Sequence, residues 1–221
     1  MRIWLTGGSG FVGSNLIAEF RRAGDDVRAA VHRTPPGMAT SMWRGDLLDA
    51  AAVRADIVRY APDVVVHAAI RNDLTGLRAD WRGAWAEFVD AARHVVQALE
   101  AGRPFTLWEC DQINTVATPS LASESARMIR RIGELGEPGV FHCCGADAMS
   151  RRDFAERVCE VFGLDGGLLR FGQPGPEAMG DEPIPYDTSL DAAATSRRLG
   201  MPLLGILDLL TRFCEEYAGR P

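Results

Sequence analysis

The sequence predicts an α/β protein built on a doubly wound parallel sheet. Three observations carry that prediction. Strand-like runs alternate with helical stripes along the first hundred residues. A glycine-rich turn joins the first strand directly to the first helix. The run Asp63-Val64-Val65-Val66-His67 is apolar throughout its centre, as a strand buried on both faces of a parallel sheet must be.

The elements follow in order. Arg2–Thr6 is a short apolar strand, and Gly7-Gly8-Ser9-Gly10-Phe11-Val12-Gly13 follows at once. Val12, Leu16, Ile17 and Phe20 recur at helical spacing, and Gly24 is placed to end that helix. Val27–His32 is a second strand and Ser41–Arg44 a third. Asp49–Tyr60 reads as a helix, Asp63–His67 as a strand, and Asp80–Ala101 as a long helix. Connections between parallel strands cross over right-handedly, so the alternation favours a parallel sheet with helices on both faces.

The glycine turn carries the first functional reading. Gly7 allows a tight turn out of the strand. Gly10 lets the backbone approach a pyrophosphate, and Gly13 allows the helix to pack closely on the strand. The N-terminus of the helix then offers N–H groups and a partial positive charge to phosphates. This strand–turn–helix setting is what the Rossmann-type dinucleotide fingerprint requires. The competing reading is a glycine-rich turn that holds nothing.

Further residues bear on the cofactor. The second strand ends His32-Arg33-Thr34 and carries no acid to take a ribose 2′-hydroxyl. Arg33 suits a 2′-phosphate, which points to NADP over NAD; its alternative is a solvated surface arginine. Asp46 and Leu47, after the third strand, are placed to border an adenine, Asp46 as acceptor for the exocyclic amine and Leu47 as packing. Ala68 and Ala69, after the fourth strand, leave room for a ribose and nicotinamide at the carboxyl edge of the sheet. His67 is expected to be a packed strand residue rather than a catalyst.

Thr6–Gly13, Gly45-Asp46-Leu47-Leu48-Asp49 and Val66-His67-Ala68-Ala69 together resemble the extended short-chain dehydrogenases. Within them, the chain is most similar to the dTDP-4-dehydrorhamnose reductase and sugar-nucleotide epimerase branch. The spacing G-x-x-G-x-x-G is that superfamily's form of the fingerprint. The resemblance implies Gly7, Gly10, Phe11, Val12 and Gly13 at the cofactor phosphates, Asp46 and Leu47 at adenine, and Ala68 and Ala69 near the nicotinamide ribose. It also implies a nucleotide-linked sugar, or another small carbonyl compound, as substrate.

The second half resembles the same branch. Arg103–Trp108 looks like a late strand of the family, and Asn114–Ala122 is similar to its P-T-x-x-x-D-x-A segment, with the usual Asp at or near Ser123-Glu124. Gly139–Gly145 looks like a strand leading to a Ser-capped helix, where Ser150 and Asp153 form a near capping box and Phe154, Val158 and Val161 an apolar stripe. Leu168–Phe171 is expected as a strand, Pro183–Asp191 as a loop and Leu203–Tyr217 as a final amphipathic helix. The chain is accordingly divided into a nucleotide-binding part, residues 1–101, and a C-terminal substrate-type α/β region, residues 102–221.

One part of the family pattern is missing. The superfamily's proton chemistry uses a Tyr and a Lys four residues apart on one helix; the Lys lowers the Tyr pKa and holds the ribose. All 24 basic residues here are Arg, and the chain contains no Lys. The residues four positions after Tyr60, Tyr186 and Tyr217 are Val64, Leu190 and Pro221. The Asp80–Ala101 helix runs straight into Gly102-Arg103-Pro104, which belongs late in the pattern. An internal deletion with its junction near Val95–Ala98 accounts for this better than a merely divergent chain. The sheet would then lose the strand beside Asp63–His67 and leave an edge that something must cover. It would also lose one of two helices through which the family forms homodimers. No catalytic residue is assigned; Asp73, Cys110 and Asp111 are the nearest replacement acids.

Composition excludes several classes. The chain has 221 residues, 47% hydrophobic and 24% charged, which is ordinary for a globular domain. Its net charge of −6 and lack of a basic patch argue against a nucleic-acid partner. No apolar run reaches a membrane span, and the N-terminal stretch is too short for a signal peptide. The five cysteines, Cys110, Cys143, Cys144, Cys159 and Cys214, form no C-x-x-C pair and lie near no His cluster, so no metal site is expected. Their odd number suits a reducing cytoplasm, with Cys143 and Cys144 in buried strand positions. Three functions remain: an NADP-dependent reductase or epimerase of impaired turnover, a non-catalytic dinucleotide-binding sensor or partner subunit, and a remnant without function of its own.

Overall fold

A computed structural model describes residues 1–31, 35–36, 41–69, 99–110, 114–175 and 185–218. The chain forms two compact units. One comprises Met1–Arg71 with Ala122–Cys143, the other Asn72–Leu121 with Cys144–Pro221.

The first unit is a parallel sheet. Its elements are β1 (Arg2–Thr6), α1 (Phe11–Arg22), β2 (Asp26–Val31), β3 (Ser41–Arg44), α2 (Ala50–Tyr60), β4 (Val64–His67) and the later helix α3 (Ala122–Leu135). The strand order is β3-β2-β1-β4, and every pairing is parallel. Side chains alternate between the faces of a strand. Ile3, Leu5, Val27, Ala29 and Val31 form a core with Leu16, Ile17 and Phe20 of α1 and Ala126 of α3. Asp49 caps α2 by accepting the Ala52 N–H at 3.0 Å.

The opposite face is organised by a buried carboxylate. Asp56 of α2 accepts from Trp4 Nε1 at 3.0 Å and from Arg28 Nε and Nη2, each at 2.8 Å. Arg59 adds a third cationic contact at 2.6 Å. Burial alone would push this carboxyl up; the hydrogen bonds from Arg28, Trp4 and Arg59 outweigh it and hold Asp56 at about 2. Tyr60 closes the amino end of this face. Its hydroxyl donates to the Asp26 carbonyl at 2.9 Å, and the Arg2 guanidinium lies 4.6 Å from its ring centroid.

The second unit contains β5 (Phe105–Trp108), β6 (Val116–Ala117), β7 (Met149–Ser150), α4 (Arg151–Phe162), a 3-10 turn at Gly166–Leu168, β8 (Leu169–Gly172), α5 (Ala193–Leu199) and α6 (Ile206–Ala218). β5 pairs with β8 in parallel, and β6 with β7 antiparallel. Ala155, Val158 and Cys159 of α4 form a core with Leu169 and Leu210, against which Phe154 and Val161 pack. Ser150 caps α4 by accepting the Asp153 N–H, and Gly163 ends it with φ +64°.

Gly139–Gly145 is not the expected strand. Gly139, at φ +137°, departs from strand geometry directly after Pro138. Gly145 N–H donates to the Pro119 carbonyl and Ala146 N–H to Leu204, partners in scattered loops rather than in one neighbouring strand. Cys144 is buried all the same, with its thiol donating to the Leu190 carbonyl at 3.8 Å. The Asp80–Ala101 helix and the Val95–Ala98 junction lie outside the described residues, except for helical Leu99 and Glu100 at the end.

Candidate functional site at the carboxyl edge of the sheet

Because all four strands of the first unit are parallel, their carboxyl ends share one edge. That edge gathers the Gly7–Gly13 loop after β1, Asp46 and Leu47 after β3, and Ala68 and Ala69 after β4. The order β3-β2-β1-β4 puts Asp46 and Ala69 on opposite sides of the glycine loop. In an open α/β sheet this edge is where ligands bind.

The glycines have distinct reasons to be glycine. Gly7 has φ +73°, and a Cβ on it would lie 2.6 Å from the Ala68 carbonyl carbon and the Ala69 nitrogen. A Cβ on Gly13 would lie 2.1 Å from the Gly7 carbonyl oxygen. Both positions are closed by the protein's own backbone. Gly10 differs. It is exposed and extended at φ −83°, and a Cβ on it would meet only the Gly7 carbonyl, at 3.3 Å. Apart from that one carbonyl oxygen, the space beside Gly10 is a cradle that a side chain would partly fill. Gly10 is also the N-cap of α1 and supplies no capping side chain; no acidic residue stands in the helix's first turn. An anion is the natural complement of such an end. Phe11 and Val12 open the helix, with Val12 exposed. These residues fit a pyrophosphate.

At the β3 side, Asp46 Oδ1 accepts the Leu48 N–H at 2.9 Å, which fixes the carboxylate. Leu47 is exposed beside it. At the β4 side, Thr6 supplies a contact that the sequence reading missed. Its buried hydroxyl accepts the Ala69 N–H at 3.0 Å and stands 2.7 Å from His67 Nδ1. The loop after β4 is thereby hooked to the end of β1, against Gly7. His67 is an exposed side chain at this edge rather than a packed strand residue. The one sequence signal was a Thr placed directly before the glycines.

Arg33, Asp73 and Asp111 lie outside the described residues. Cys110 belongs to the second unit, where its carbonyl accepts from the Thr115 hydroxyl at 2.9 Å. Tyr60 is at the amino end of the strands; burial, then neighbouring Asp26, pushes its hydroxyl up to about 12. Tyr217 packs against Phe162 and Phe213 in the second unit. Among the described residues, no helix is long and apolar enough to cross a membrane.

A parallel sheet whose first strand runs through a glycine loop into a helix with no capping side chain is a Rossmann-type α/β arrangement. More particularly, residues 3–110 match the NAD dependent epimerase/dehydratase family. The fold is that of solved sugar-nucleotide enzymes. Thermus thermophilus UDP-glucose 4-epimerase, solved with NAD, superposes with a TM-score of 0.69 at 13% identity, covering 100% of both chains. A dTDP-4-dehydrorhamnose reductase of Clostridium acetobutylicum gives 0.64 at 13% identity, covering 99% of this chain and 100% of that one. Bacillus anthracis dTDP-glucose 4,6-dehydratase, in complex with NAD, gives 0.68 at 11% identity, covering 99% and 98%. In sequence, 88 residues are 33% identical to the probable low-salt glycan biosynthesis reductase Agl14 of Haloferax volcanii. That match spans 40% of this chain and 28% of the relative.

Proposed function

We propose that the chain binds a nicotinamide dinucleotide at the carboxyl edge of its sheet, with NADP(H) preferred to NAD(H). The observation that carries the reading is the contrast within the glycine loop. Gly7 and Gly13 are closed by backbone, whereas Gly10 leaves space beside an uncapped helix end. Gly10, Phe11, Val12 and Gly13 hold the pyrophosphate; Asp46 and Leu47 border the adenine; Ala68 and Ala69 border the nicotinamide ribose. Arg33 takes the 2′-phosphate. The bound dinucleotide would supply or accept a hydride. Residues 1–101 are the nucleotide-binding part, to which α3 adds a helix, and the rest of residues 102–221 is the substrate-type region for a nucleotide-linked sugar or another small carbonyl compound.

Turnover of that substrate is impaired or absent. A chain without Lys has no ammonium to lower a Tyr pKa or to hold the ribose. The same observation favours a second reading, a non-catalytic NADP(H)-binding sensor or partner subunit. The five free cysteines suit a reducing cytoplasm. Calorimetric titration with NADP⁺ and NAD⁺, wild type against Gly10→Val, tests binding. NADP⁺ binding that the valine abolishes supports the reading. A folded wild-type chain that binds neither nucleotide overturns it. NADPH turnover with nucleotide-sugar ketones then separates enzyme from sensor.

A further inference from the structure

The contacts of Thr6 bear on where the proton of His67 stands. Thr6 is 2% exposed and pairs in register with His67 across β1 and β4. A hydroxyl carries one proton and two lone pairs. One lone pair of Thr6 takes the Ala69 N–H. Among the described residues, the other polar partner within reach is His67 Nδ1, at 2.7 Å. If Nδ1 carried a proton, it would donate to Thr6, and the Thr6 proton would be buried without an acceptor among the described residues, which is costly. The arrangement that leaves nothing unpaired has Thr6 donating to Nδ1. His67 then carries its proton on Nε2. That Nε2–H has no partner among the described residues, on an exposed imidazole at the carboxyl end of β4.

Its place in the sheet says what it faces. A dinucleotide with its pyrophosphate at the Gly10 end of α1 spreads its halves to either side of β1. Asp46 and Leu47 lie on the β3 side. His67 lies on the β4 side, two residues before the hooked Ala69. Resting on the dinucleotide reading above, we propose that His67 is a binding residue for the nicotinamide-side half, with Nε2–H donating to an oxygen of the second ribose. Thr6 is the positioning residue that fixes the ring's tautomer.

Two isosteres separate this role from a structural one. In His67→Asn the amide oxygen replaces Nδ1 as acceptor for Thr6, but nothing reaches the Nε2 position. In His67→Gln the amide nitrogen reaches that position. The probes are NADP⁺ or NAD⁺, whichever binds wild type more tightly, and ADP, which lacks the second ribose. With Asn, dinucleotide affinity should fall about tenfold, the loss of one hydrogen bond to a ligand, while ADP affinity stays. Gln should restore most of the dinucleotide affinity. An equal loss for both ligands, or none for either, overturns the proposal while leaving the dinucleotide reading intact. Failure of folded wild type to bind both ligands overturns the two together. Without any ligand, long-range ¹⁵N–¹H spectra should show the Nε2–H tautomer for His67. An Nδ1–H form would overturn the assignment.

Discussion

Asp25 and Arg130 stand 105 residues apart in sequence and 2.9 Å apart in the fold. Asp25 is buried in the turn between α1 and β2, and Arg130 reaches it from α3. The Met1 nitrogen donates to the other carboxylate oxygen at 2.6 Å. Burial alone would raise the Asp25 pKa, but these hydrogen bonds outweigh it and hold the carboxyl below its ordinary range. A segment from the second half of the chain thus completes the core of the first unit and is clamped there by a charge. Replacing Arg130 by Gln leaves a buried carboxylate with one partner fewer. It should cost about 2 kcal/mol in urea unfolding. Hydrogen exchange should quicken most along α3, and unchanged α3 protection would refute the clamp.

The glycine loop makes a paired prediction. Gly13→Ala drives a Cβ into the Gly7 carbonyl oxygen, with only backbone to give way. It should destabilise the chain by about 3 kcal/mol. Gly10→Ala keeps an ordinary extended φ and meets one atom at 3.3 Å. Its stability should stay within about 0.5 kcal/mol of wild type, yet its nucleotide affinity should drop at least tenfold. Melting curves and calorimetry on both variants check this. Equal nucleotide affinity in Gly10→Ala and wild type would mean that the space beside Gly10 is not used.

Asp56 makes stability depend on acid. Its carboxyl is held at about 2, below the ordinary 3.8, so its stabilisation is full well above pH 4 and is lost as pH falls toward 2. The linkage amounts to about 1 kcal/mol lost by pH 3 and about 2 kcal/mol by pH 2. In Asp56→Asn this component should vanish. The stability gap between wild type and variant should therefore narrow by about 1 kcal/mol between pH 7 and pH 3. A gap that stays constant would show that Arg28, Arg59 and Trp4 do not hold the charged form.

Legibility followed the range of the forces involved. β1, α1, β3 and β4 were readable because local period and turn chemistry decide them. The Asp49 and Ser150 caps were readable for the same reason. Gly139–Gly145 misled because an apolar run after Gly looks like a strand, whereas Gly139 sits at φ +137° and the Gly145 N–H donates to the Pro119 carbonyl in a loop. The Asp56 network and the Asp25–Arg130 pair depend on contacts between distant segments, and no spacing rule announces them. At the site, the glycines declared themselves, but Thr6 and His67 did not. Their link exists only because β1 and β4 are neighbours in register. The same neighbour relation bears on the proposed deletion. Among the described strands, β4 pairs with β1 alone, and β5 pairs with β8 in the other unit. Val65 on that edge is half exposed, although its apolar run suggests a strand covered on both faces.

The preference for NADP rests on one cation and can be tested on it. β2 is described as far as Val31, and β3 pairs with it in register up to Arg44 opposite Val31. The residues that follow Val31 are His32, Arg33 and Thr34, so no carboxylate stands there to take a ribose 2′-hydroxyl. Arg33→Gln removes a charge suited to a phosphate but keeps a hydrogen-bonding side chain. NADP⁺ affinity should fall about tenfold, because a charge-assisted hydrogen bond to a phosphate is among the stronger kinds. NAD⁺ affinity should hold, since it lacks that phosphate. If both fall together, Arg33 supports the loop rather than reading the nucleotide. If neither changes, exposed Arg44 at the end of β3 becomes the cation to replace next.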